Sequence, residues 1–306
     1  MRRRRRTIIS TVFLVNPASG NGATGRRWPE LAARARALGL EGETLQSSRS
    51  GELSELAERA VREGAQLIVA AGGDGTLNEV VNGIVRAGGE SELATIPLGT
   101  GMDFVRTYGI PRRFDDAVLV ARDGRARTID VGHVSFVGGE RYFANVSTAG
   151  MSGAVAKRAN RMTKAFGGRV TFFYALGREF LTWQNTRVTV RLDDGTERVG
   201  KMHDVIVANG SWHGGAMKLA PDALPDDGLF EVQLIGDVNK LDFVLTAPKL
   251  YVGKHLGHPK IEAFRARVVE VDADEPLPIE VDGETVGTTA ARWEIVPHAL
   301  RIRVPG

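Results

Sequence analysis

The residues with the clearest chemical potential lie at positions 72–79, where the sequence reads GGDGTLNE. An apolar run at 66–71 precedes them and predicts a strand, whereas the apolar residues from Leu77 onward recur at helical spacing. Thr76 and Glu79 have capping-box spacing, which predicts where this helix begins. A glycine turn between a strand and a helix N-terminus presents backbone amides to negative charge, so we expect the turn to bind phosphate.

Asp74 is unusual within such a turn, because a carboxylate repels phosphate unless it binds a cation or accepts a proton. The turn lacks the lysine of a P-loop and the glycine spacing of a dinucleotide fingerprint. A lone Asp-Gly pair is usually a local turn in which the aspartate caps neighbouring amides. Open α/β sheets bind ligands at the carboxyl ends of their strands, so here we favour a functional Asp74.

The elements that would position this turn alternate along the first part of the chain. Besides the strand and helix around the turn, strands are predicted at 7–15, 43–46 and 93–97, and helices at 26–38, 52–63 and 115–121. This alternation predicts an open parallel α/β sheet. The first domain therefore covers 1–128.

From residue 129 the pattern predicts a mostly antiparallel second domain, a β-sandwich that extends to residue 306 and includes a helical excursion near 151–181. Its predicted strands lie at 128–136, 141–147, 187–192, 199–208, 229–235, 266–271, 278–281 and 293–296. Within the aromatic stretch at 172–183 one helical face carries Phe173, Leu176, Phe180 and Trp183, and such a stripe is more typical of a core than of a lipid-binding surface.

Composition and charge exclude several classes of protein. The chain of 306 residues has no cysteine, which excludes disulfides and thiolate metal sites and fits a reducing cytoplasm. The formal net charge is +3, which is less than the five arginines of Arg2–Arg6 supply, so we expect no broad nucleic-acid-binding face. No segment approaches the ~20 apolar residues of a membrane span. Arg2–Arg6 precede a strand that the fold needs, so we interpret them as a solvated or membrane-attracted basic tip and not as part of a secretion signal.

Five stretches, in order, resemble the family of lipid kinases related to diacylglycerol kinase and sphingosine kinase. The resemblance extends from about residue 7 to residue 304. GGDGT alone is shared with NAD kinases and phosphofructokinases, so the ordered set is more specific than any one motif. The five are NPASG at 16–20, GGDGTLNEV at 72–80, PLGTGMDFVR at 97–106, APDALPDDGL at 220–229 and VDGE at 281–284.

The resemblance implies an NAD kinase- or phosphofructokinase-like first domain that binds ATP. Met102 stands where the family has asparagine, which removes an amide from the nucleotide side. The last strand of the family returns to the first domain, and 299–304 matches it here. The implied nucleotide-binding residues are Asn16, Ser47, Gly72, Gly73, Asp74, Gly75, Thr76, Leu77, Asn78, Thr100 and Asp103.

Three carboxylates are candidates for catalysis. Asp74 would hold a metal ion or act as a base, since phosphoryl transfer needs charge neutralisation and a proton acceptor. The resemblance implies that Glu284 or Asp282 faces the nucleotide across the interdomain cleft. The residues alone favour a simpler interpretation, a type I′ hairpin turn at Val-Asp-Gly-Glu.

The resemblance also implies a structural Mg²⁺ bound by the carboxylate of Asp227 and the backbone carbonyls of Leu224 and Leu229. An all-oxygen site with few carboxylates suits this ion.

The expected function is ATP-dependent phosphorylation of a hydroxyl on a membrane lipid, most simply diacylglycerol. Two alternatives remain: an NAD kinase-like enzyme with a soluble substrate, and a non-catalytic lipid or nucleotide sensor. The expected setting is cytoplasmic, peripheral at the anionic inner membrane face, without nucleic-acid partners. The acyl lipid and the oligomeric state, a homodimer included, stay open.

Overall fold

The computed structural model describes residues 11–161 and 168–306, apart from the side chains at 160–161, 168–170 and 172–173. The basic tip Arg2–Arg6 therefore lies outside the described residues. The chain divides into two compact units. The first contains residues up to Gly99 together with 108–129 and 299–306, and the second contains 100–107 and 130–298. The segment 100–107 thus groups with the second unit, whereas the sequence placed it in the first domain.

The first unit is built on a parallel sheet whose strands pair in the order β2-β1-β3-β4. Every residue of β1 and β3 is buried, as expected for a parallel sheet covered on both faces. The predicted open parallel α/β sheet is confirmed. The elements up to residue 123, of which only α4 groups with the second unit, are β1 (Thr11–Val15), α1 (Ala23–Ala37), β2 (Glu43–Gln46), α2 (Glu52–Arg62), β3 (Leu67–Gly72), α3 (Asp74–Arg86), β4 (Glu92–Pro97), α4 (Asp103–Thr107) and α5 (Phe114–Asp123).

The chain then changes to strands, with three longer helices inserted among them. These elements are β5 (Arg125–Phe136), β6 (Gly139–Phe143), β7 (Val146–Gly150), α6 (Met151–Arg161), α7 (Gly168–Thr182), β8 (Thr186–Leu192), β9 (Glu197–Met202), β10 (Asp204–Ala208), β11 (Phe230–Ile235), α8 (Lys240–Leu250), a 3₁₀ turn (His255–Gly257), β12 (Ile261–Ala266), β13 (Val268–Ala273), β14 (Pro278–Val281), β15 (Glu284–Thr288) and β16 (Ala291–Val304).

Two layers of antiparallel strands form the second unit, as the sequence predicted. One layer has the order β12-β11-β10-β7-β14-β15, and β16, β13, β8 and β9 pair in the other. Inward-facing residues such as Val205, Ile279 and Trp293 meet in one core. The predicted strand at 199–208 is instead the end of β9 followed by β10. Strand β9 pairs with β8, this pairing ends before His203, and β10 then pairs with β11 and β7.

Strand β16 contributes to both units. Val268 and Val269 of β13 pair with Glu294 and Trp293 near its beginning, in antiparallel register. Near its end, residues 301–302 pair in parallel with β4 of the first unit. Among the described residues, no helix is long and apolar enough to span a membrane.

Candidate active site

Three of the predicted site residues follow neighbouring strands of the first unit at the same sheet edge. Asn16 follows β1, Ser47 is the first residue after β2, and Gly73 follows β3. The backbone N–H of Ser47 donates to the carbonyl of Val15 at 3.1 Å, and that of Asn16 donates to the carbonyl of Ala71 at 3.2 Å. The parallel register therefore brings these loops together at the carboxyl edge, where such sheets bind ligands.

Helix α3 begins at Asp74, three residues before Leu77, the first helical residue that the Thr76/Glu79 spacing predicted. Its N-cap is Gly73, which has no side chain to cap the first amides. Thr76 instead holds the loop that follows β1, since its Oγ1 accepts a hydrogen bond from Nδ2 of Asn16 at 3.1 Å. The capping-box prediction was wrong, and the helix N-terminus keeps the amide-rich character that suits an anion.

Glu79, the other half of the predicted box, caps a different helix. Its Oε2 accepts the N–H of Leu53 at 3.1 Å, in the first turn of α2. The N-cap of α2 is Gly51, which offers no side-chain acceptor, so Glu79 supplies the missing cap from a neighbouring helix. Glu79 therefore ties α2 to α3, the helix that follows the glycine turn.

Two glycine loops approach each other at backbone distance. A Cβ atom built on Gly99 would lie 2.5 Å from Cα of Gly73, and one built on Gly72 would lie 2.2 Å from Oγ1 of Thr76. Any side chain at Gly72 would collide with Thr76 and any at Gly99 with the backbone of Gly73, so glycine at both positions is what allows the two loops to pack this closely. Leu77 and Asn78, also predicted to bind nucleotide, are buried and can contribute only by shaping the turn.

In the second unit, Asp103 is an anchor with protein partners on both carboxylate oxygens. It accepts the N–H groups of Gly215 at 2.7 Å and Ala216 at 2.9 Å, and Arg106 donates to it at 3.0 Å. Met102 beside it has φ 62°, a left-handed conformation that asparagine adopts more readily than methionine. Thr100 is exposed. The side chain of Asp103 is thus committed to holding a loop.

The Val-Asp-Gly-Glu segment forms the hairpin turn that its residues predicted. Asp282 and Gly283 have φ 46° and 93°, and Val281 pairs with Glu284 across the turn. The carboxylate of Asp282 accepts three backbone N–H groups, those of residues 144, 145 and 146, at 3.2, 3.2 and 3.0 Å. Glu284 is half-buried, and within the described part of the chain its carboxylate makes no hydrogen bond or ion pair. Of the two carboxylates, Glu284 is the one available to a substrate.

Two further carboxylates, which sequence reasoning missed, lie fully buried beside this hairpin. Oε2 of Glu280 accepts the hydroxyl of Thr148 at 3.1 Å and lies 3.4 Å from Nε2 of His213, while its Oε1 accepts the N–H of Gly283. Asp204 accepts the N–H and hydroxyl of Ser152. Burial raises the pKa of Asp204 to about 8 and also raises the pKa of Glu280. Glu280 therefore fixes the turn that presents Glu284. Glu280 is a charged residue within the otherwise apolar strand sequence 278–281, and this was the signal by which the sequence could have revealed it.

The predicted magnesium residues do not form a metal site in this geometry. Asp227 is ion-paired with Arg265 through one oxygen and accepts the N–H of Leu229 at 3.1 Å through the other. Leu224 is 54% exposed. In residues 11–161 and 168–306, no three acidic or histidine side chains are arranged so that they could hold a metal ion. A resident ion at Asp227 would have to displace the guanidinium, so these residues do not fit the implied Mg²⁺.

Two family models together cover most of the chain. The diacylglycerol kinase catalytic domain matches residues 10–134, and the YegS C-terminal NAD kinase beta sandwich-like domain matches residues 145–304. A diacylglycerol kinase of Staphylococcus carnosus (strain TM300) is 31% identical, covering 100% of this chain and 96% of that protein. A diacylglycerol kinase of Staphylococcus aureus (strain Newman) is also 31% identical, covering 100% and 93%.

Solved structures agree at the level of the fold. A crystal structure described as a diacylglycerol kinase from Bacillus anthracis str. Sterne aligns with a TM-score of 0.73 at 21% identity, covering 97% of each chain. Another chain from the same organism aligns with a TM-score of 0.77 at 22% identity, covering 97% of this chain and 98% of that one. At these identities the structures support the architecture alone.

Proposed function

The chain belongs to the diacylglycerol kinase family of lipid kinases, and from that membership we propose that it transfers the terminal phosphate of ATP to a lipid hydroxyl. The substrate that fits most simply is diacylglycerol, which would become phosphatidic acid. The observation that carries the nucleotide half of the proposal is the glycine turn at the end of β3, which leads into the uncapped N-terminus of α3. Backbone amides there suit the phosphates of ATP.

Asp74 and Glu284 take the two chemical roles in this proposal. Asp74 is the first residue of α3, directly after the glycines, where a carboxylate can hold the Mg²⁺ that accompanies ATP. When bound, that ion would neutralise phosphate charge. Glu284, whose carboxylate makes no hydrogen bond or ion pair with any described residue, accepts the proton from the attacking hydroxyl of the lipid. Asp282 and Asp103 act as structural anchors, because their oxygens already accept backbone amides.

The test is a parallel assay in which labelled ATP and Mg²⁺ are offered with diacylglycerol, ceramide, sphingosine, phosphatidylglycerol and NAD. We expect phosphorylation of diacylglycerol. Labelling of NAD alone would favour the soluble-substrate alternative, and nucleotide binding without transfer to any acceptor would favour a sensor.

Asp74→Asn provides the matched test of the site. Loss of a positioned acid, base or metal ligand costs about 10²-fold or more in turnover. Activity within a few-fold of the unmodified protein would return Asp74 to the role of a helix-terminal residue.

A further inference from the structure

Helix α8 carries apolar side chains on two opposite faces. Its inner face is fixed by Phe243, whose ring lies 4.9 Å from the ring of Phe180 on α7. On the outer face Leu241, Val244 and Leu245, at spacings of three and four, are 66%, 55% and 63% exposed. No residue of α8 is fully buried. The outer face is therefore a helical apolar stripe in contact with water.

The stripe continues past the end of the helix. Tyr251 and Val252 follow it and are 43% and 61% exposed. On α7, Leu181 is 61% exposed, and its carbonyl accepts a hydrogen bond from Nζ of Lys240 at 2.8 Å, which places it next to the start of α8. Isolated exposed apolar residues are normal, whereas a contiguous set indicates an interaction site. We call Leu241, Val244, Leu245, Tyr251 and Val252 the α8 face.

Positive charge surrounds the α8 face. Lys240, Lys249 and Lys254 are exposed, whereas the only acidic residue between positions 240 and 254 is Asp242. Asp242 is already neutralised, since it caps the helix with Asn239 and lies 2.6 Å from Nζ of Lys260. An apolar stripe flanked by unopposed lysines matches the boundary of an anionic bilayer, where apolar groups enter the acyl region and lysines meet lipid phosphates.

We propose that the α8 face docks this protein on anionic membranes. The inference rests on the proposed function in one respect, since a kinase whose substrate is a bilayer lipid must meet that lipid at the membrane. A second copy of the chain fits the face less well. Two such faces would oppose their lysines, and five side chains fall far short of the ~20–30 residues that each partner contributes to a standard interface.

Vesicle co-sedimentation of the full chain tests the docking directly, with phosphatidylglycerol/phosphatidylcholine vesicles compared with pure phosphatidylcholine. We expect Leu241→Ser/Leu245→Ser to weaken binding to the anionic vesicles by at least about tenfold, because both side chains are expected to enter the acyl boundary. The matched control is Leu119→Ser/Val137→Ser, which removes two apolar side chains that are 38% and 68% exposed elsewhere. It should bind as the unmodified protein does.

A charge variant separates the two parts of the attraction. Lys240→Gln/Lys249→Gln/Lys254→Gln should lose affinity for anionic vesicles mainly at low salt, where charges are least screened. Thermal melting of each variant shows that it is folded. Kinase activity on diacylglycerol in neutral detergent should be unchanged by either set, since no substituted residue touches the proposed active site.

Several results would overturn the docking proposal. These are unaltered vesicle binding by Leu241→Ser/Leu245→Ser, loss of binding only on deletion of Arg2–Arg6, no vesicle binding by the unmodified protein, and a dimer that dissociates in the double variant. The proposed function fails separately, if detergent-dispersed diacylglycerol is not phosphorylated. Because vesicle binding is measured without ATP, one failure is distinguishable from the other.

Discussion

The hairpin at residues 281–284 carries two carboxylates that the structure gives opposite roles, and paired substitutions separate them. In Asp282→Asn, one oxygen becomes an NH₂ group that cannot accept a hydrogen bond. The Oδ1 position, which serves the N–H groups of Asn145 and Val146, can keep a carbonyl oxygen. The N–H of Ala144 then loses its acceptor and faces a donor.

The size of the effect follows from that count. A hydrogen bond to a charged group contributes about 1.5–3 kcal/mol, so Asp282→Asn should lower the free energy of unfolding by about that amount. With a dependence of roughly 2–4 °C per kcal/mol, the melting temperature should fall by about 3–12 °C. Glu284→Gln removes no hydrogen bond or ion pair within the described part of the chain, so its free energy of unfolding should stay within about 0.5 kcal/mol of the unmodified value.

Turnover should respond in the opposite way. Measured on detergent-dispersed diacylglycerol well below either melting temperature, Glu284→Gln should lower turnover by about 10²-fold or more, whereas Asp282→Asn should lower it only a few-fold. Thermal unfolding and initial rates on the same preparations provide both readouts. If Asp282→Asn melts normally but loses turnover a hundredfold while Glu284→Gln keeps it, the assignment of anchor and base is reversed and our reasoning is refuted.

Gly83→Ala on α3 should destabilise the first unit by about 1–3 kcal/mol in chemical denaturation, because the new Cβ would lie 2.2 Å from the carbonyl oxygen of Ser54 on α2. In its control, Gly177→Ala in α7, the new Cβ meets no atom of the described residues within 4 Å, so the change should be neutral or slightly stabilising. Stability should also fall as pH rises from 6.5 to 8, by up to about 1.4 kcal/mol per pH unit, because buried Asp204, with its pKa raised to about 8, keeps a proton that the unfolded chain has already lost. Buried histidines with lowered pKa oppose this trend only below pH 6.5. Asp204→Asn should flatten the dependence of stability on pH, and an unchanged dependence would contradict the assignment of this effect to Asp204. Finally, EDTA should leave the melting temperature of the nucleotide-free protein unchanged if Asp227 is ion-paired with Arg265 and binds no metal ion. A clear drop would instead show that a metal ion is bound at Asp227.

Local patterns were enough to predict the architecture. The alternating strands and helices of the first unit, and the Asp-Gly turn at 282–283, follow from hydrophobic periodicity and turn chemistry, both of which are local. The start of α3 was mispredicted because Thr76 and Glu79 found partners outside their own helix, at Asn16 and Leu53. No spacing rule reveals such partners, since they depend on the packed fold.

Long-range contacts decide what the sequence could not show about two of the candidate carboxylates. Asp282 accepts amides more than 130 residues away, and Asp103 accepts amides more than 110 residues away, so a motif position alone could not distinguish an anchor from a catalytic group.

Helix α8 was not predicted at all. With Phe243 inside and Leu245 outside, the helix is apolar on both faces and lacks the one-sided periodicity by which helices are recognised.

The two-unit membership of β16 has a consequence for biosynthesis. Three side chains near the end of β16 are buried in the first unit, those of Leu300, Ile302 and Val304. Nη2 of Arg301 lies 2.6 Å from Oε1 of Glu92 on β4. A ribosome makes β4 more than 200 residues before it makes this partner. During translation, the edge of β4 that later pairs with β16 stays unpaired until the second unit has been synthesised. An unpaired strand edge promotes association with other chains. The first unit of this protein is thus the first to be synthesised and the last to be completed.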